Sequence, residues 1–345
     1  ITKSQHGFMP GRSCTTNLIE YLNQVTEALD DGLYYDAILL DYRRAFDHVS
    51  FRHMLAKVES HGIGGQVLKW IADWTKSRMQ RVIINGEHSD WIEVTSSVVQ
   101  GPVLFSIFIN DLDISISPSH GVLISKFADD TKVGKKIKKT EDCQSLQNAI
   151  NELVKWSKLW NMELHPDKCI VIHFGRENPK HVYQIDGKQV NEADEVRDLG
   201  IIISNNASQS THVNTVARKA QAVLSQIKRA VTYRDSVVFA GIYKTYVRPI
   251  IESSVQVWNP SKVEDIKTLE KVQKRALRMI TDHGSMSYEQ KLESLNHGVL
   301  ISKFADDTKL GKAIATNVDC LKLQAALNEL VTRSYENGME LHADK

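Results

Sequence analysis

The sequence predicts a mixed α+β domain, an antiparallel sheet with packed helices, followed by a basic helical region. Three observations predict it. Short apolar runs at Ala37–Leu40, Val122–Phe127, Thr131–Val133, Ile170–Phe174 and Leu199–Ile203 have the length and neighbours of strands. Between them apolar residues recur at helical spacing. From Thr211 to Thr281 the pattern is mostly helical, and Val213–Ile280 carries thirteen Lys and Arg against five Asp and Glu. An α+β sheet followed by a helical domain is the simplest architecture that satisfies all three.

The elements follow in order. A turn at Gly7–Gly11 precedes a helix lined by Leu18, Ile19, Leu22, Val25 and Leu29, which Gly32 ends. The run Ala37-Ile38-Leu39-Leu40 is flanked by acids and short, which favours a buried strand. Helical spacing returns at Phe51–Val58 and Val67–Trp74. Arg81–Val94 then alternates around Asn85-Gly86, a strong short-range hairpin signal. Val103–Leu112 reads as an apolar helix. Val122–Phe127 and Thr131–Val133 read as two strands joined by Ala-Asp-Asp, and Leu146, Ala149, Ile150, Leu153, Trp156 and Trp160 as the sheet-facing side of a helix.

Composition narrows the class. The chain has 345 residues, 42% of them hydrophobic, enough for one large core or two modest ones. A net charge of +1 gives no global attraction to polyanions, so nucleic-acid binding needs local patches. The helical stretch is one, and Lys132, Lys135, Lys136, Lys138 and Lys139 read as a second; a merely solvated basic face is the alternative for both. Cys14, Cys143, Cys169 and Cys320 form no C-x-x-C pair, which indicates neither zinc nor a disulfide framework and fits a reducing, intracellular setting. No apolar run approaches the ~20 residues of a membrane span, so no membrane partner is expected. The chain opens on Ile1 and reads as a piece of a longer protein.

His120–Lys168 recurs without gaps as His297–Lys345, and the first thirteen residues of the two copies are identical. Two copies separated by a long unrelated stretch are not a solenoid, which needs about three adjoining units. We read a duplication or fusion.

Acidic residues concentrate where the chemistry is expected. Asp41 closes one apolar strand, and Asp129 and Asp130 occupy the turn of a hairpin. A carboxylate at the rim of a core is incompletely solvated, and adjacent acids repel. Divalent cations relieve both penalties, and three carboxylates from neighbouring strands can hold two Mg²⁺ ions for in-line nucleotidyl transfer. Plain turn chemistry is the alternative for an isolated Asp-Asp pair.

Taken together, the surrounding motifs resemble the reverse transcriptases of LINE-type (non-LTR, jockey-like) retrotransposons. The resemblance rests on Gln5-His6-Gly7-Phe8 with Gly11-Arg12-Ser13, on Asp36 to Val49, and on Val99-Gln100-Gly101 with Leu104-Phe105 and Ile109-Asn110-Asp111-Leu112. It continues through Phe127-Ala128-Asp129-Asp130, Trp160-Asn161-Met162, Lys168-Cys169 and Asp198-Leu199-Gly200, and then Tyr246-Val247-Arg248-Pro249 and Trp258-Asn259-Pro260.

The resemblance implies a right-hand polymerase palm over 36–203, a fingers remnant over 1–35, a helical thumb-like region over 204–296 and a truncated copy of the palm segment over 297–345. It implies an RNA template, a DNA primer and deoxynucleoside triphosphates as partners, two Mg²⁺ ions held by Asp41, Asp129 and Asp130, and a nuclear setting. Phe46 would lie under the sugar of the nucleotide, Gln100 and Gly101 would contact the nucleotide, Lys168 would serve as proton donor or charge partner, and Leu199 and Gly200 would form the primer grip. An ordinary core phenylalanine and a surface lysine are the alternatives for Phe46 and Lys168.

Three departures bear on activity. About four residues of the family's second palm motif read as deleted between Gln100-Gly101 and Pro102, the chain is read as starting after the family's first finger motifs and the expected upstream endonuclease, and the second copy carries Asp306 and Asp307 without a third acid. That copy is expected to be displaced and inert, since the first is nearer its partners and closes the shorter loop. An inactive nucleic-acid-binding remnant and a non-functional fusion therefore stand beside a working polymerase.

Overall fold

The computed structural model describes residues 1–98, 102–232, 234, 236–280, 300–304 and 307–311. The chain divides into two units, Ile1–Ala207 and Ser208–Lys345.

In the first unit, α1 (Cys14–Asp30) starts at Ser13. The Ser13 hydroxyl accepts from the Thr16 N–H and the Thr16 hydroxyl from the Ser13 N–H, a reciprocal cap. The helix stops where Gly32 takes φ +69° and the Leu33 N–H reaches back 2.9 Å to the Ala28 carbonyl. β1 (Tyr34–Leu40), α2 (Phe51–Ser60) and α3 (Gly65–Thr75) follow. The hairpin turns at Asn85-Gly86, both at positive φ, and pairs in two stretches: β2 (Met79–Gln80) with β5 (Ile92–Glu93), and β3 (Ile83–Ile84) with β4 (Glu87–His88).

α4 (Pro102–Phe108) then runs into a 3₁₀ turn at Asn110–Leu112, so the expected helix over Val103–Leu112 is split. Lys57 explains where. Its ammonium donates to the Phe108 carbonyl (2.8 Å) and to Asp111 (2.6 Å), beneath the rings of Trp160, Trp156 and Phe108. A carbonyl held by a side chain is free of the helical ladder.

β6 (Leu123–Phe127) and β7 (Asp130–Ile137) form the acidic hairpin, followed by α5 (Thr140–Leu159), β8 (Ile170–Phe174) and the short strands β9 (Gln184–Ile185), β10 (Lys188–Gln189), β11 (Asn191–Glu192), β12 (Glu195–Asp198) and β13 (Ile201–Ser204). The main sheet has the order β11-β8-β1-β7-β6, antiparallel except for β11 beside β8. It is buried on both faces, which is why its central strand reads as a continuous apolar run. On one face Ile38, Leu40, Val133 and Ile137 share a core with Leu146, Ile150 and Leu153 of α5 and Met54 and Val58 of α2. On the other, Tyr21 of α1, Tyr35 and Phe174 meet edge to face at 6.3–6.4 Å.

Two expectations are corrected. β7 runs on to Ile137, through the lysine cluster, and those lysines are not all a free basic patch: Lys132 pairs with buried Asp198, Lys135 with Asp142, and Lys136 with Glu27 and Asp31. The strand expected over Leu199–Ile203 is instead the second half of a hairpin whose turn is Leu199-Gly200, with φ of +44° and +90°.

The second unit holds α6 (Ser210–Ala230), α7 (Ser236–Ile242), a π-helical turn at Tyr243–Val247, α8 (Arg248–Glu252), α9 (Val255–Trp258) and α10 (Val263–Leu277). Ala220, Leu224, Phe239, Val247, Val272 and Ala276 form its core, while Arg218, Lys219, Lys228, Arg229, Lys267, Lys271 and Arg278 stay exposed. The second copy contributes β14 (Leu300–Phe304) and β15 (Asp307–Gly311), paired with each other with Phe304 opposite Asp307, as Phe127 lies opposite Asp130 in the first. Asp306 and Cys320 lie outside the described residues. Among the described residues no helix is long and apolar enough to cross a membrane.

Gly134 leaves room for the buried Tyr35 ring, whose atoms would stand 2.5–2.8 Å from an added Cβ. Gly134→Ala is expected to lower stability by about 1–3 kcal/mol, read as a fall in Tm; an unchanged Tm would show that the ring can move.

Candidate active site

Strand register brings the acids to the same end of the sheet. β1 pairs with β7 with Leu40 opposite Thr131, so the next residue outward, Asp41, emerges beside Asp130, and the β6–β7 turn sets Asp129 next to both. That turn needs help, because Ala128 sits at φ +55°, a conformation L-residues other than Asn and Asp rarely adopt.

The help comes from the N-terminal segment. Gln5 is buried, and its Oε1 accepts from the Ala128 N–H (3.0 Å) and the Gly7 N–H (2.7 Å) while its Nε2 donates to the Ala128 carbonyl. The Lys126 N–H donates to the Ser4 carbonyl and the His6 N–H to the Lys126 carbonyl, both at 2.8 Å, which covers the edge of β6. Gly7 lies so close that a Cβ there would be 2.3 Å from the Ala128 nitrogen.

Asp41 is held by its backbone. Its N–H points to the Cys169 sulfur (3.4 Å), and its carbonyl accepts from the His165 N–H (2.8 Å). Tyr42 bridges Leu164, and the Arg43 N–H donates to the Glu163 carbonyl, so segment 163–169 runs beside 41–43. This brings the exposed Lys168 ammonium to 4.0 Å from Asp41 Oδ1. Tyr42, Arg43, Arg44, His48, His165, Asp167 and Lys168 line an adjoining cleft of about 490 Å³, most of them basic or capable of becoming so.

The electrostatics follow from this crowding. Partial burial, then Asp129, Asp198 and Asp41, push the Asp130 carboxyl up to about 6 against a partial opposing effect of Lys132, although Asp130 lies exposed at the end of the strand. Burial and Asp41 also raise Asp129. The Cys169 thiol is pushed up to about 11 by burial, which keeps it protonated and inert as a nucleophile at neutral pH. As a donor set, Asp41 with two neighbouring carboxylates whose ionisation is disfavoured, Asp129 and Asp130, suits a hard divalent cation, which favours the ionised forms. Among the described residues, however, no group of three or more His, Cys, Asp or Glu side chains is drawn together closely enough to hold a metal ion.

The other sequence-predicted residues fall into place unevenly. Phe46 is half-buried and stacks on Phe105 of α4 at 4.2 Å, so its ring is anchored in the core and still reaches the surface. The Val98 N–H donates to the Phe46 carbonyl, and the Ser97 N–H to that of Val49. Gln100 and Gly101 lie outside the described residues. Leu199 and Gly200 form the β12–β13 turn. Sequence reasoning missed Gln5 as the support of the acidic turn, and it assigned Lys132 to a basic patch instead of a buried ion pair. The available signal for Lys132 was its position two residues after Asp130, on the same side of a strand.

A protein-family model described as "Reverse transcriptase (RNA-dependent DNA polymerase)" matches residues 1–203, more than half of the chain. The chain belongs to the reverse transcriptase family. Its curated relatives are reverse transcriptases of non-LTR retrotransposons, at low identity. One is a probable RNA-directed DNA polymerase from transposon BS of Drosophila melanogaster, 22% identical over 302 residues that cover 81% of this chain and 32% of that protein. The corresponding protein of the X-element of the same organism is 23% identical over 290 residues, covering 80% and 32%. A Pol polyprotein from the type-1 retrotransposable element R2 of Popillia japonica is 26% identical over 179 residues, covering 46% and 28%. This reverse transcriptase chain thus spans about a third of the length of those relatives. Among solved structures, apo telomerase from Candida tropicalis superposes with a TM-score of 0.45 at 9% identity over 85% of this chain and 49% of that one, too distant to carry weight.

Two outcomes test the site. Because the folded Asp130 holds its proton up to about pH 6 and an unfolded aspartate releases it near 3.8, the ionised group costs stability above pH 6 and the cost disappears as pH falls toward 4. Asp130→Asn is therefore expected to melt higher than the parent at pH 7.5, with a gap that closes on acidification; a gap independent of pH would contradict the assignment. Gln5→Ala leaves two N–H groups unsatisfied beside the turn and is expected to lower stability by about 1–3 kcal/mol, measured by denaturant unfolding.

Proposed function

We propose that this chain carries the polymerising region of an RNA-directed DNA polymerase of the non-LTR retrotransposon type. It would join a deoxynucleoside triphosphate to the 3′-hydroxyl of a DNA primer on an RNA template. The observation that supports this most is the β1–β7 register that sets Asp41 beside Asp129 and Asp130 in a chain of the reverse transcriptase family. In this reading residues 36–203 are the palm, 1–35 derive from the fingers, 204–296 are the thumb-like region and 297–345 are a truncated repeat of 120–168. The break between compact units after Ala207 falls close to the proposed palm boundary.

The roles divide by position. Asp41, Asp129 and Asp130 would hold two Mg²⁺ ions, which when bound activate the primer hydroxyl and neutralise charge on the leaving oxygens. Lys168, beside Asp41 and exposed, faces the basic cleft, where it offers a charge partner and a proton to the departing pyrophosphate. Phe46, backed by Phe105, would lie under the sugar and exclude a 2′-hydroxyl by contact. Gln100 and Gly101 would meet the nucleotide, and Leu199-Gly200 the primer. The exposed Lys and Arg of α6 and α10 would follow the duplex backbone through phosphate contacts, without regard to base sequence.

A second reading is a remnant that binds nucleic acid without polymerising. It is favoured by the absence, among the described residues, of a closed three-carboxylate group, and by the shortened segment around Gln100-Gly101-Pro102. Primer extension on an RNA template with Mg²⁺ separates the two. The polymerase reading predicts incorporation that Asp129→Asn abolishes, by ~10³-fold or more. Salt-dependent binding of primer–template with no incorporation by the parent supports the remnant.

A further inference from the structure

We propose that the Lys132–Asp198 ion pair is a positioning pair that sets the Leu199-Gly200 turn, and with it the primer terminus, against the acidic end of the sheet. This rests on the polymerase reading above. Lys132 Nζ lies 2.6 Å from Asp198 Oδ2 and 2.5 Å from Asn17 Oδ1, with the Tyr21 ring centroid at 5.4 Å. Both charged side chains are nearly sealed from water, at 3% and 4% exposure. The ammonium thus ties three elements at one point: α1 through Asn17 and Tyr21, the sheet through β7, and the hairpin through Asp198.

The hairpin needs such a tie. β12 and β13 pair with each other and are not hydrogen-bonded as strands into the five-stranded sheet. Backbone bonds secure the root, from Ala193 N–H to the Val171 carbonyl and from Gly175 N–H to the Asn205 carbonyl. At the other end Asp198 is the last strand residue before the turn, and its partner is only two residues, about 7 Å along the strand, from Asp130. Asn17 is itself fixed, since its Nδ2 donates to Ser125 Oγ and to the Lys126 carbonyl. Lys132 is therefore held from behind and transmits the position of the acidic hairpin to the turn.

A buried ion pair contributes little net stability compared with an apolar pair of the same volume, whereas removing one partner strands a charge. Its distinct contribution is directional, because only one placement of the hairpin satisfies the bond. That difference supplies the test, made in the full chain with Lys132→Met, Asp198→Leu and the double variant. Each single variant is expected to melt lower. The double variant is expected to regain most of the parent Tm and yet extend a saturating primer–template with kcat reduced ~10²-fold, with KM for the nucleotide within about twofold, and with faster hydrogen exchange across residues 195–204.

Recovery of kcat together with Tm would overturn the proposal and leave the pair a purely structural contact. If the double variant does not regain its Tm, Asp198→Glu carries the same decision, since it keeps the charge and moves the carboxylate by one methylene: a parent-like Tm with lowered kcat supports the proposal, and a parent-like kcat overturns it. Should the parent itself extend no primer, the polymerase reading falls, and exchange across 195–204 then decides the pair alone. Unchanged exchange in the double variant overturns the coupling, and faster exchange sustains it.

Discussion

The acidic end of this sheet is governed by carboxylates that are partly desolvated and set near one another. Asp41, Asp129 and Asp130 come from the ends of neighbouring strands, and the raised carboxyls of Asp129 and Asp130 reflect partial burial first and the neighbouring acids second. Desolvation and repulsion both oppose folding, so the surrounding chain has to hold the acids in place by other means.

Those means are backbone bonds and buried polar side chains, not apolar packing at the acids themselves. Gln5 satisfies the Ala128 N–H of a strained turn, Gly7 permits the close approach, and Cys169 and His165 fix the backbone of Asp41. Further back, Lys57, Lys126 and Lys132 are three buried lysines, each paired with an aspartate: Asp111, Asp113 and Asp198. Each joins elements far apart in sequence. Lys57 fixes the exit of α4, Lys126 anchors β6 to the segment after α4, and Lys132 carries the position of β7 to the β12–β13 turn.

Much of the fold was legible because burial on both faces makes central strands plainly apolar. Ile38 to Leu40 and Ile170 to Phe174 announced themselves, as did the amphipathic face of α5 and the Asn85-Gly86 turn. The lysines of β7 misled for a physical reason: a lysine read from sequence looks like a solvated charge, and only the arrival of Asp198, Asp142 or Asp31 from elsewhere in the chain shows that it is paired. Leu199 misled because an apolar residue in a tight turn is indistinguishable from the first residue of a strand until its φ is known. Of the candidate site, the three acids, Phe46, Lys168 and Gln5 were all legible as motif residues, but the support that Gln5 gives the acidic turn was not, since it exists only once Ala128 adopts a left-handed backbone conformation. Likewise the motif residues Asn110 and Asp111 have packing partners, His61 and Lys57, that no local pattern encodes.

The central claim is that Asp41 shares one cation site with Asp129 and Asp130. Titration of the full chain with Mn²⁺ by calorimetry tests it most directly, because binding is read without any need for catalysis. The account predicts that Asp41→Asn weakens Mn²⁺ binding as strongly as Asp129→Asn does. Parent-like binding by Asp41→Asn would contradict it.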